Sequence, residues 1–235
     1  VQARDEAMNL FTLGYVDLPA RAAAEQLFWS IGRQILDRAI KAGELGEELA
    51  DLAEGLSDIY YCNFSVFQSM PDLWAIDQLF PIVPIHRLDQ RPTRLGTLAD
   101  ITCDSDGKVD RFVDRRNVKR ILELHETAEG ERYCLAACLV GAYQEVLGDL
   151  HNLFGDTHIV HVGLDREGHW SIDEVIKGDS VAEVLDFVGF SASEMSRSLR
   201  QDIERAVRGQ GLNVAEGRSL LESYERSMSG YTYLD

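Results

Sequence analysis

Lysine is scarce in this sequence. Four of its 23 basic residues are lysines, at Lys41, Lys108, Lys119 and Lys177. That limits any chemistry that needs an amine nucleophile. Basic residues as a whole are outnumbered by 40 acidic ones, leaving a formal net charge of -17. A nucleic-acid partner is disfavoured, because phosphate binding needs a basic face. An acidic chain suits cationic ligands, although a solvated acidic surface is the commoner cause of such a charge. The chain has no apolar run of the roughly 18 residues a membrane span requires, and no signal peptide. Four cysteines (Cys62, Cys103, Cys134, Cys138) in 235 residues do not make a disulfide framework. Reduced thiols of a cytosolic protein fit better. No P-loop, G-x-G-x-x-G or G-x-S-x-G pattern is present. Asn63-Phe64-Ser65 matches a glycosylation acceptor, but without a secretory signal the match reads as chance. The chain opens on Val1 in mid-pattern, which suggests a processed or trimmed fragment.

What remains is an ordinary globular composition, 45% hydrophobic and 27% charged, with length for one or two domains. Residues 1–57 read as helical. Asp17 before Pro19 marks a helix start. Leu27, Phe28, Ile31, Ile35, Leu36, Ala39 and Ile40 follow the 3.6-residue period of a buried stripe, Gly43 and Gly46 break it, and Leu49, Leu52, Ala53 and Leu56 resume it. Ile59 to Phe67 is aromatic and β-prone. Pro71 lies near a helix start, with Ser69 as a cap candidate. Pro81 to Ile85 reads as an edge strand, and Leu95 to Ile101 as a strand. Half of residues 108–129 are charged, as in a solvated loop or exposed element. Tyr133 to Val140 is nearly all apolar, as a buried central strand would be. A glycine turn at Gly141 then opens a short helix, and His151 to Asp156 is a turn. Two alternating runs around Asp165-Arg166-Glu167-Gly168 read as a hairpin. From Ser180 the chain is helical again, with capping-box spacing at Ser191/Glu194 and Asn213/Glu216. Met195, Leu199, Ile203 and Val207 form one stripe, and Leu220, Leu221, Tyr224 and Met228 another. The aromatic tail Gly230 to Leu234 should pack back on the body.

The most chemically suggestive stretch is Leu98 to Gly107, where an apolar run ends in Cys103-Asp104-Ser105-Asp106-Gly107. A weak acid beside two fixed carboxylates suits proton transfer next to a cationic ligand. Gly107 permits a positive φ there. Taken alone, a turn with a small core cysteine is the better reading of these ten residues. Gly141-Ala142-Tyr143 presents backbone amides and a phenol at a helix opening, where a phosphate can bind, although a packed tyrosine is the default. Cys134-x-x-x-Cys138 with His151, His158 and His161 does not have zinc spacing. Core thiols and surface histidines account for it better.

Five segments together resemble one family. They are Asn63 to Pro84, Asp100-Ile-Thr-Cys-Asp-Ser-Asp-Gly107, Val140-Gly-Ala-Tyr-Gln-Glu145, His151-Asn-Leu-Phe-Gly-Asp-Thr157 and Gly230-Tyr-Thr-Tyr-Leu234. In order and combination they resemble the biosynthetic, bacterial-type arginine decarboxylases, and the helical N-terminal third resembles the helical insertion of those enzymes. The resemblance implies a pyridoxal 5′-phosphate-dependent enzyme of the alanine racemase-like or ornithine decarboxylase-like fold, in which a TIM barrel joins a C-terminal β-domain. Nothing here resembles the barrel, its cofactor-anchoring lysine or its glycine-rich phosphate loop. The chain therefore resembles the C-terminal portion only. Its expected fold class is α+β: a helical insertion at 1–57, a β-barrel or sandwich-like domain at 58–179, and a C-terminal helical extension at 180–235.

By that resemblance Cys103 matches the cysteine that re-protonates the substrate carbon after carbon dioxide leaves, and Asp104 the acidic residue that meets the basic end of the substrate. Asp106 is a second substrate-binding candidate. Tyr143, with Gly141, matches the contact to the cofactor phosphate. In related ornithine enzymes an Asp follows the Asn at the position of Asn63. Here Phe64 stands there, so that contact must come from elsewhere, with Asp72 and Asp77 as candidates. The resemblance further implies L-arginine as substrate, agmatine as product, a role toward polyamines and spermidine, a cytoplasmic setting and a site shared between subunits of a homodimer or higher even oligomer. It admits Mg2+ as an additional ion. Two other readings stay open: a non-catalytic dimerisation module related to decarboxylases, and a decarboxylase for another basic amino acid.

Overall fold

The computed structural model describes residues 2–42, 49–115, 117–141 and 143–234. The chain forms two compact units. One comprises Val1–Tyr60, Leu79–Ala99 and Val109–Cys138; the other comprises Tyr61–Gln78, Asp100–Lys108 and Leu139–Asp235.

In the first unit, α1 (Gln2–Thr12) pairs with α2 (Leu18–Ala42), and α3 (Ala50–Gly55) follows. Asp17 caps α2 as expected, its Oδ1 accepting the Ala20 N–H at 2.9 Å. The apolar stripe of α2 is only partly used. Leu36 is buried and joins Ala53 and Ile121 in a small core edged by Leu49, Leu52, Leu56 and Leu95. Leu27, Ile31 and Ile35 are exposed instead, because the stripe is wider than the face its neighbours in this unit cover. Gly43 and Gly46, read as the break, lie outside the described residues.

The strands of this unit are short: β1 (Asp58–Tyr61), β2 (Ile82–Pro84), β3 (Arg94–Ala99), β4 (Lys108–Val109), β5 (Phe112–Val113), β6 (Val118–Lys119), β7 (Leu122–Leu124) and β8 (Leu135–Ala137). One sheet has the order β1-β3-β4, with β7 also paired to β3; β2–β8 and β5–β6 are two-stranded ribbons. The described strands do not form a closed barrel. Two expectations need correction. The charged run 108–129 is not a solvated loop: Val109, Phe112, Leu122 and Leu124 are buried, and the charges occupy intervening positions. Tyr133 to Val140 is neither central nor buried. Only Leu135–Ala137 is strand, among the described residues it pairs with β2 alone, and Cys134 and Cys138 are exposed rather than core thiols. Apolar character alone does not supply a second neighbour.

In the second unit, α4 (Val66–Ser69) takes over the end of the expected 59–67 strand, and α5 (Pro71–Ala75) follows. Ser65 caps α4, accepting the Gln68 N–H; Pro71 opens α5 as read, but Ser69 does not cap it, Met70 standing at that position without a side-chain cap. A short α6 (Gln144–Leu147) follows the glycine turn, and a 3-10 turn spans His151–Leu153. The hairpin is present as β9 (Ile159–Leu164) against β10 (Trp170–Ile176). Three helices complete the unit: α7 (Val181–Phe187), α8 (Ala192–Arg208) and α9 (Val214–Met228). Asn213 and Glu216 form a full capping box. Ser191 makes only the half in which it accepts the Glu194 N–H, and a second full box stands at Ser180/Glu183. Gly217 lets α9 approach α8 closely, since a Cβ there would lie 2.7 Å from Ile203 Cγ2. The tail packs back as read. Tyr231 bridges to Ser180 and stacks on His158, and the Tyr233 hydroxyl donates to Gly155 O at 2.9 Å. Asn63 clasps the Leu234 backbone, accepting its N–H at 2.9 Å and donating to its carbonyl at 2.6 Å. No helix among the described residues is long and apolar enough to cross a membrane.

Candidate active site

The turn carrying the thiol is built on a buried carboxylate. Asp100 is 2% exposed, yet each of its oxygens is used. Oδ2 accepts the Val66 N–H at 2.8 Å, which ties the turn to the start of α4. Oδ1 accepts from the Thr102 N–H at 2.9 Å and the Thr102 hydroxyl at 2.7 Å. A buried charge is tolerable only when so satisfied. Two backbone bonds close the turn: Asp100 N–H donates to Gly107 O at 2.8 Å, and Gly107 N–H donates to Asp104 O at 3.1 Å. Gly107 is therefore required, but not for a positive φ, as its φ lies outside that region. It is required for space: a Cβ there would sit 2.2 Å from Asp100 Oδ1 and 2.5 Å from Thr102 Oγ1.

On this frame Cys103, Asp104 and Asp106 are all exposed. Asp104 Oδ1 accepts the Asp106 N–H at 2.8 Å, an Asx turn that fixes the carboxylate. Cys103 is thus an exposed thiol on a rigid turn rather than small core filler. Two residues from the 3-10 turn meet it. Asn152 Oδ1 accepts the Cys103 N–H at 3.0 Å, and His151 Nε2 lies 3.7 Å from Asp104 Oδ2. The His151 ring packs on Phe67 with centroids 4.4 Å apart. It is half-buried, not the surface histidine expected. Asp149 N–H donates to Phe67 O at 3.1 Å, so the segment leading from α6 is held to α4 as well.

Tyr143 and Gly141 stand at the opening of α6. Gly141 has a φ of +124°, a conformation that favours glycine, and nothing approaches its Cβ position within 4 Å. Tyr143 is exposed, and its carbonyl accepts the Val146 and Leu147 N–H groups at 3.1 and 2.9 Å. Ala142, between them, lies outside the described residues. The next residue, Gln144, is buried and donates to Asp72 Oδ2 at 3.0 Å. Asp72 is thereby engaged by α6, and Asp77 is exposed with a φ of +57° after α5.

Sequence reasoning did not single out Asp100, Gln68, Gln144 or Asn152 as functional groups, and it weighed His151 only as a metal ligand. Gln68 donates to Asp156 within the His151 to Thr157 segment. Among the described residues, the buried side-chain polar atoms without a hydrogen-bond partner are Gln68 Oε1, Gln144 Oε1 and His151 Nε2. All three belong to this one cluster. Buried polar atoms are normally paired, so three unpaired ones in one cluster set this region apart from the rest of the described residues. No pattern in the sequence announces that. Among the described residues, the one group able to share a metal ion is the exposed Asp165, Glu167 and His169 of the β9–β10 turn, not the Cys134/Cys138 and histidine set.

The helical ends identify the class. Residues 1–53 match the family model of the arginine decarboxylase helical bundle domain, and residues 181–234 that of the arginine decarboxylase C-terminal helical extension. The chain carries both of these arginine decarboxylase domains. The biosynthetic arginine decarboxylase of Gloeobacter violaceus is 53% identical over 237 residues, which cover 99% of this chain and 37% of that protein. The biosynthetic arginine decarboxylase of a Nostoc species is 50% identical over all of this chain and 34% of its own length. Among solved structures, the biosynthetic arginine decarboxylase SpeA from Campylobacter jejuni matches with a TM-score of 0.74 at 34% identity, covering 99% of this chain and 36% of that one. The chain thus spans little more than a third of the relatives it matches.

Proposed function

We propose that this chain is the C-terminal portion of a pyridoxal 5′-phosphate-dependent arginine decarboxylase, a cytoplasmic enzyme converting L-arginine to agmatine and carbon dioxide toward spermidine and other polyamines. The observation that carries the reading is identity of 50% and more to such enzymes over 99–100% of this chain, with the thiol-carboxylate turn as its chemical support. The proposed divisions are 1–57, 58–179 and 180–235, with the TIM barrel and the cofactor-anchoring lysine in the remainder of the enzyme. The active site is then completed across a homodimer or higher even oligomer, and this chain is inactive alone.

Each residue has a task in this reading. Asp104, held by the Asp106 N–H, keeps lone pairs free to receive a guanidinium, which fixes orientation as well as adding attraction. Asp106 adds a second negative charge beside it. An exposed phenol at Tyr143 and the open backbone at Gly141 suit the phosphate end of the cofactor. When bound, the cofactor withdraws electrons from the substrate α-carbon. In that reaction the α-carbon would lose carbon dioxide, keep the bonding electron pair and require a proton. Cys103 Sγ–H then gives its proton to the α-carbon, and the thiolate recovers one from solvent.

The test uses the full-length enzyme. Cys103→Ala should lower kcat about 100-fold or more, the usual contribution of a positioned acid. Asp104→Ala should raise KM for arginine about 10- to 100-fold, as expected for a lost charge-assisted contact. Unchanged kinetics in both would remove the assignment, and a lower KM for ornithine or lysine than for arginine would change the substrate. Agmatine formation by the isolated 235-residue chain would refute its inactivity.

A further inference from the structure

We infer that His151 and Asn152 are positioning residues that act separately on the two halves of the candidate site: Asn152 on the thiol, His151 on the carboxylate. The inference rests on the proposed function and deepens it. Two consecutive side chains reach two consecutive site residues. Asn152 Oδ1 holds the Cys103 N–H at 3.0 Å, and His151 Nε2 faces Asp104 Oδ2 at 3.7 Å. The backbone that makes this double reach is unusual. Asn152 and Leu153 both have left-handed φ values, 56° and 61°, which asparagine tolerates and leucine adopts only under constraint. His151 Nε2 is buried and lacks a hydrogen-bond partner, while its ring is fixed by Phe67. A nitrogen fixed, enclosed and unpaired beside the substrate-binding carboxylate is placed to donate to Oδ2. That contact steadies Asp104 while leaving the carboxylate charge for the incoming cation. Asn152 pins the backbone that carries the thiol, so the reach of Sγ to the α-carbon depends on it.

Paired variants in the full-length enzyme separate the two roles. His151→Phe keeps the stack on Phe67 and removes the nitrogen; His151→Gln restores an amide donor at about the Nε2 position. His151→Phe should raise KM for arginine about 10-fold with kcat within twofold, and His151→Gln should recover most of the lost affinity. Asn152→Gly accepts the left-handed backbone but removes the oxygen, and Asn152→Asp keeps an acceptor. Asn152→Gly should lower kcat about 10-fold with KM little changed, and Asn152→Asp should recover most of it. Changes of kcat and KM together in both glycine and phenylalanine variants, or no rescue by glutamine and aspartate, would overturn the inference while leaving the decarboxylase reading intact. Loss of the Cys103→Ala and Asp104→Ala effects would instead remove the reading beneath it. A His151→Phe enzyme that fails to fold leaves the decision to His151→Gln and the Asn152 pair.

Discussion

Gly107→Ala is the sharpest test of how the thiol turn is built. The new Cβ would lie 2.2 Å from Asp100 Oδ1, whereas ordinary contact begins near 3.4 Å. The carboxylate oxygen, or the turn that faces it, must retreat by more than an ångström. Oδ1 bonds Thr102 N at 2.9 Å and Thr102 Oγ1 at 2.7 Å, so such a retreat breaks both. Hydrogen bonds to a charged group contribute about 1.5–3 kcal/mol each, and partial relaxation returns some of that, for a net cost of about 3 kcal/mol. At about 1.4 kcal/mol per decade, opening of the turn should become roughly a hundredfold more frequent. Amide hydrogen exchange of the full-length enzyme reads this directly at Val66 and Thr102, whose N–H groups both donate to Asp100. Both should exchange faster in the variant. Gly55→Ala is the control: nothing lies within 4 Å of its Cβ position on α3, so it should be neutral or stabilising by up to about 1 kcal/mol. Unchanged protection at Val66 and Thr102 in Gly107→Ala would refute the account of Asp100 as the anchor of the turn.

The tail offers a pH dependence. Burial above all, then the neighbouring Tyr231 and the charges of Asp156, Asp100 and Asp179, raise the Tyr233 phenol above the ordinary range near 10. Its contribution to stability is therefore complete below about pH 10 and lost as pH rises from there toward the folded-state value. Absorbance at 295 nm should show a late-titrating tyrosine that Tyr233→Phe removes; simultaneous titration of every phenol would contradict this. Thiol labelling should split three to one. Cys103, Cys134 and Cys138 are exposed, while burial pushes the Cys62 thiol up to about 11, so iodoacetamide at pH 8 should modify Cys62 last by mass spectrometry. Asn63→Ala removes both clasps on Leu234 and should make the last residues more protease-sensitive, at a cost of about 1–2 kcal/mol.

The helices were legible because their signals are local. Asp17, Asn213 and the stripe Met195, Leu199, Ile203, Val207 state their roles within four residues of themselves. The hairpin around Asp165 was legible for the same reason. What misled was composition read without partners. Leu135–Ala137 is as apolar as a central strand, yet among the described residues it has a single neighbour. The charged run at 108–129 conceals Phe112 and Leu124, because a strand alternates faces and charge can fill every outward position. In the candidate site the turn residues could be named from the family resemblance. The groups that hold them could not: Asp100 with Val66, and Asn152 with Cys103, are pairs separated by 34 and 49 residues.

The clasp between Asn63 and Leu234 closes a loop of 171 residues. A contact that distant forms only after a large loss of chain entropy, and on the ribosome it must wait for translation to reach Leu234. The helix-led unit has its last segment by Cys138 and can condense while synthesis continues. The unit that carries Cys103 cannot finish until nearly a hundred further residues have emerged. Assembly order is thereby written into the topology: the clasp that joins Asn63 to Leu234 closes only after every other segment of both units has been made.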